Sequence, residues 1–81
     1  MNIRLTERLR KSYADAPKAV QKAFDKQLRL LAGNLNHPSL RAKKYDEAGD
    51  VWQARINRDW RFYFVIEADD CVIIGMRSHP K

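Results

Sequence analysis

The run from Val51 to His79 constrains this chain more than any other stretch. In VWQARIN, WRFYFVIE and CVIIGMRSH, apolar residues fall on every second position. Trp52, Ala54 and Ile56, then Trp60, Phe62, Phe64 and Ile66, then Val72, Ile74 and Met76 are all even-numbered. A period of two is the mark of a strand with one face buried, because successive side chains point to opposite sides of a sheet. Asn57-Arg58-Asp59 and Ala68-Asp69-Asp70 are the turns between the strands. Three consecutive antiparallel strands, apolar on one face, need a cover.

The first half of the chain supplies that cover. Leu5, Leu9 and Tyr13 fall on one stripe of a short helix, with Thr6 as its N-cap and Glu7 in its first turn. Asp15-Ala16-Pro17 breaks this helix and starts the next. Val20, Phe24, Leu28, Leu31 and Leu35 then recur at helical spacing, and Gly33-Asn34 is a C-cap signal. Asn2 to Leu5 is a candidate for a short edge strand. Beyond His37-Pro38, Leu40 to Tyr45 reads as a short basic strand. Its Arg41, Lys43 and Lys44 suit either an edge strand protected from unwanted pairing or contact with phosphates. The expected fold is therefore α+β. An N-terminal helical hairpin packs on one face of a twisted, mainly antiparallel sheet of three to four strands, as a single domain over residues 1–81.

Parity also places the polar side chains. Cross-strand partners must point to the same side, so a first hairpin turning at Arg58 to Trp60 pairs Asn57 with Arg61 and Arg55 with Tyr63. The second hairpin pairs Tyr63 with Gly75 and Arg61 with Arg77, with His79 one step beyond. Arg55, Arg61, Tyr63, Arg77 and His79 then share the face opposite the helices, over about 15 Å. Arginines directly opposite each other repel. The available acids (Asp59, Glu67, Asp69 and Asp70) are gathered in turns instead. The net charge of +6 points the same way, toward a polyanion or an acidic protein partner. A cationic face with a tyrosine in it suits a phosphodiester, the phosphate held by guanidinium and a base stacked on the ring. Solubility alone could also place arginines there.

Several function classes are disfavoured. No apolar run approaches the ~18 residues of a membrane span, and the charged start MNIRLTERLRK does not read as a signal peptide. One cysteine, Cys71, and two histidines make no zinc motif. A buried, inert thiol and a reducing cytoplasmic setting are expected, with no cofactor and no metal.

VWQARINRDWRFYF followed by CVIIGMRSH, with the helix pair and the HPSLRAKKY connection, resembles the RelE/ParE superfamily of toxins from bacterial toxin–antitoxin modules, nearer its RelE/YoeB-like branch. The resemblance implies a metal-independent endoribonuclease acting on messenger RNA, usually at the ribosome. The arginine after the hairpin turn matches Arg61 and the one ending the last strand matches Arg77. The branch ending in Arg-x-His matches Arg77-Ser78-His79. Arg55 stands at a basic position of the strand before the turn, and Gln53 replaces a second lysine found there in some members. On this reading Arg61, Arg77 and His79 are catalytic, and Lys43, Lys44, Arg55 and Tyr63 bind RNA. Histidine suits proton transfer at neutral pH, and the two arginines would hold the charge of the pentacovalent phosphorane.

Two departures stand out. Many active members place a tyrosine or phenylalanine after the final strand, where this chain has Pro80-Lys81. Some carry a carboxylate base, for which Lys43 to Glu47 offers no convincing equivalent. The implied partners are an acidic antitoxin, messenger RNA and the ribosome, with no membrane; assembly could be as a homodimer or with the antitoxin. The alternative is a non-catalytic protein of the same fold, either a ParE-like poison of DNA gyrase or one that only binds its antitoxin.

Overall fold

The computed structural model describes residues 2–79. The chain runs β1 (Asn2–Leu5), α1 (Glu7–Asp15), α2 (Lys18–Gly33), a 3-10 turn (Pro38–Leu40), β2 (Lys43–Asp46), β3 (Val51–Arg55), β4 (Trp60–Glu67) and β5 (Asp70–Ser78). One sheet holds all the strands in the order β1-β5-β4-β3-β2. The pairs from β2 to β5 are antiparallel and β1 lies parallel to β5. Among the described residues the sheet thus has five strands rather than three or four, and Asn2–Leu5 is the fifth.

Thr6 joins this edge to the helices. Its Oγ1 accepts the Leu9 N–H at 3.1 Å, the N-cap bond, and donates to the Ile73 carbonyl at 3.0 Å. α2 buries Val20, Phe24, Gln27 and Leu31, with Leu28 at the margin and Leu35, just past the helix end, also packed against the core. Phe24 meets Phe62 edge-on, ring centres 5.4 Å apart, in a core that also holds Leu9, Leu40 and Ile73. The helix ends as expected near Gly33, but Asn34 caps it in extended conformation, φ −162°, rather than left-handed. Among the described residues no helix is long and apolar enough to cross a membrane.

Three expectations about the sheet need correction. β2 starts at Lys43, because Leu40 closes the 3-10 turn and is fully buried there. In β5 the core face is Cys71, Ile73 and Met76, not Val72, Ile74 and Met76. Tyr63 faces Gly75 while Phe64 faces Ile73, so Ile74 is an extra residue and parity inverts across it. The first hairpin is displaced by one two-residue step: Arg55 faces Arg61 and Gln53 faces Tyr63. The second hairpin has the expected pairs Tyr63–Gly75 and Arg61–Arg77.

Candidate functional site

The corrected register puts Arg55, Arg61 and Arg77 in one row across three adjacent strands, on the face turned away from the helices. The next row is Lys43, Gln53, Tyr63 and Gly75. A cleft of about 370 Å³ opens over the first row and is lined by Arg41, Lys43, Gln53, Arg55, Arg61 and His79. His79 is exposed, and its backbone N–H donates to the Asp59 carbonyl, which ties the end of β5 to the first hairpin turn.

The arginines are held differently. Arg61 Nη1 donates to the carbonyls of Asn57 at 2.7 Å, Trp60 at 2.9 Å and Arg58 at 3.3 Å. One of its three nitrogens is thereby committed to the turn, which sets the plane of the guanidinium. Burial first, and then the neighbouring Arg55 charge, hold Arg61 below the ordinary arginine range; Arg41 acts in the same direction, and Tyr63 and, more weakly, Asp59 oppose them. Arg55 Nε shares the Asn57 carbonyl at 3.2 Å. Two cations thus meet on one oxygen, a partly desolvated arrangement that an anion would relieve.

Arg77 faces the other way along the row. Its Nε donates to the Tyr63 hydroxyl at 3.3 Å and its Nη2 to the Tyr45 hydroxyl at 3.2 Å. The hydrogen bond to Tyr63 is the largest influence raising it above the ordinary range. Its guanidinium also lies 5.3 Å from the centre of the Tyr63 ring.

Of the residues expected at the site, Arg55, Arg61, Lys43 and His79 line one cleft, while Arg77 and Tyr63 line the cleft beside it. Lys44 belongs to neither. It faces Trp52 across the strand pair, bonds Asp50 at 2.7 Å and sits 5.5 Å from the centre of the Trp52 ring. Neighbours in a strand point to opposite faces, so Lys43 and Lys44 could not both reach the cleft. Pro80-Lys81, which stands where many active members of the family carry an aromatic, lies outside the described residues. Asp46, the acid nearest Lys43 in β2, accepts the Ala48 and Gly49 N–H groups and closes a turn.

Arg41, which the sequence offered as either an edge-strand or a phosphate-contacting residue, and Tyr45, which it did not single out, also line the clefts. Arg41 has φ 46°, a left-handed backbone unusual for arginine, and lines the cleft. Tyr45 stands where the β2–β3 register shifts between Lys44 and Asp46, and its ring meets Tyr63 edge-on at 5.0 Å. Its signal was its spacing of two from Lys43, on the same side of the strand.

No protein-family model and no curated protein sequence matches the chain. Solved structures do. A YoeB/ParE toxin from Agrobacterium tumefaciens superposes with TM-score 0.80 at 14% identity, covering 99% of this chain and 100% of that one. The archaeal RelE of a RelE–RelB complex from Pyrococcus horikoshii gives TM-score 0.81 at 16% identity, over 99% and 96%. YoeB in a heterotetrameric YoeB–YefM complex from Staphylococcus aureus gives 0.75 at 17% identity, over 99% and 98%. The chain has the fold of the RelE/ParE-type toxins.

Proposed function

We propose that this protein is the toxin of a toxin–antitoxin module and that it cleaves messenger RNA without a metal, at the ribosome. The observation that carries the reading is the row Arg55–Arg61–Arg77, cationic across three strands, with His79 at its end. Its fold is that of toxins whose complexes contain RelB and YefM antitoxins. An acidic antitoxin segment laid over the row would neutralise the charge and block the cleft.

The chemistry follows from the groups available. The scissile phosphate sits between Arg61 and Arg77, with Arg55 and Lys43 on its flanking backbone. The ribose 2′-oxygen attacks phosphorus, the bond to the 5′-oxygen breaks, and a 2′,3′-cyclic phosphate and a 5′-hydroxyl are left. Negative charge grows on the non-bridging oxygens of the phosphorane, where prearranged guanidinium donors hold it better than water can. His79 moves the proton, as base toward the 2′-hydroxyl or as acid toward the leaving oxygen.

One observation favours a second reading, binding without cleavage. Arg61 is tied to three carbonyls and Arg77 to two tyrosine hydroxyls, so both have structural roles already. This is the ParE-like gyrase poison or the antitoxin-binding protein. Induced expression discriminates between the readings. Growth arrest with loss of messenger RNA, relieved in the Arg61→Ala/His79→Ala double variant, is expected for the ribonuclease. Arrest with a DNA-damage response and intact messenger RNA would replace it by the gyrase reading.

A further inference from the structure

We infer that the second cleft, between α1 and the open face of the sheet, receives one unstacked nucleobase of the bound RNA. This rests on the proposed RNA substrate and adds a subsite to it. The cleft has a volume of about 400 Å³ and is lined by Arg8 and Ser12 of α1 together with Tyr45, Tyr63, Gly75 and Arg77. That volume lies within the usual range of small-ligand sites.

Its aromatic wall is set in advance. The register shift in β2 presents Tyr45, 52% exposed, edge-on to Tyr63, and Arg77 ties both hydroxyls. Two rings locked by one guanidinium lose little freedom when a flat ligand arrives, and every base offers a π-face to such a wall.

The floor gives an independent indication. Gly75 lies inside β5 opposite Tyr63, and its φ is not positive. A Cβ built there would have no heavy atom within 4 Å. Neither backbone conformation nor packing requires a glycine in this strand, where it weakens the sheet. What glycine leaves is clearance above the pleat, as expected where a ligand comes close to the backbone.

Position and chemistry select the occupant. Arg77 in this cleft is the cross-strand partner of Arg61 in the other, so a base here adjoins the phosphate held there. Arg8 and Ser12 bring hydrogen-bonding groups to the rim, suited to a base edge. An acidic antitoxin side chain could reach the arginines but would need neither the ring wall nor the clearance.

The test uses a short, non-cleavable 2′-O-methyl oligoribonucleotide with 2-aminopurine walked through each position, and a matched abasic series. Full-length protein should quench 2-aminopurine strongly at one position, and the abasic form at that position should bind about tenfold or more weakly, the loss of one stack. Gly75→Leu fills the cleft and should abolish the quench with the same loss, while keeping the wild-type melting temperature and affinity for inorganic polyphosphate. Tyr45→Leu, at an exposed ring, should also lose the quench and guards against a misfolded Gly75→Leu. Equal binding of intact and abasic oligonucleotides, unaffected by either variant, would overturn the base subsite and leave the RNA reading standing. Polyphosphate binding with no oligonucleotide binding would overturn both. Loss of antitoxin binding in Gly75→Leu with RNA binding intact would assign the cleft to the protein partner instead.

Discussion

Arg61 and Arg77 face each other across β4 and β5 and are nevertheless restrained by different groups, one by turn carbonyls and one by tyrosine hydroxyls. The separation matters, because two guanidiniums directly opposite each other repel and weaken the strand pair. On the opposite side of the same sheet, Cys71 has no exposed surface, and burial pushes its thiol up to about 12. The folded protein should therefore resist iodoacetamide at pH 8 and react fully in urea, as mass spectrometry would read. The pH dependence follows from the direction of the shift. Folded Cys71 keeps its proton where the unfolded thiol, with pKa about 8.5, loses it. Its contribution to stability is whole below that value and declines as pH rises toward 12, by up to about 1.4 kcal/mol per pH unit. Urea titrations at pH 8 and 10 should show a smaller decline for Cys71→Ala than for wild type.

At the scale of elements, irregular positions build the site. The register shift in β2 presents Tyr45, and the extra residue in β5 returns Gly75 and Arg77 to the open face after Cys71 and Ile73 have faced the core. α2 takes part through Gln27, whose Nε2 donates to the Arg55 carbonyl at 2.7 Å and the Ser39 carbonyl at 3.1 Å. One buried amide thus fastens the end of β3 and the turn that leads into Arg41. Gln27→Leu keeps the bulk and removes the donor from two carbonyls, at a cost of about 1–3 kcal/mol. The urea midpoint should fall accordingly. Oligonucleotide affinity should fall beyond what the stability loss explains, because Arg41 and Arg55 lose their anchor. An unchanged affinity would mean that Gln27 serves only the core.

Over the whole molecule, the net charge of +6 is divided between two sides. Lys18 and Lys22 lie exposed along α2, and the arginine row lies on the opposite face of the sheet. Salt dependence separates them. Each phosphate contact on a single strand adds about −0.7 to the slope of log K against log salt. Arg61→Ala should reduce the magnitude of that slope by about one contact, and Lys22→Ala should leave it unchanged. Equal effects of the two substitutions would mean that binding is diffuse rather than sited.

The sequence by itself determined the parts governed by local periodicity. Even-numbered apolar residues in β3 and β4, together with the helical stripe from Val20 to Leu31, were enough for a helical hairpin on a sheet. Parity alone sent Arg55, Arg61 and Tyr63 to the far side. The tertiary structure decided what periodicity cannot encode. Ile73 and Ile74 are both apolar, so nothing local says which enters the core; Phe64 takes Ile73 as its partner, and the parity of β5 inverts. Asn57 reads both as the last strand residue, paired with Arg61, and as the first residue of the turn; its Oδ1 accepts the Asp59 and Trp60 N–H groups, and this Asx-type turn moves the hairpin by one step. That step aligns Arg55 with Arg61. β1 has only four residues and forms only because β5, distant in sequence, offers an edge and Thr6 bonds to Ile73. Side-chain alternation is local and therefore legible, whereas the choice of partner and register is settled by contacts between segments that the chain must first bring together.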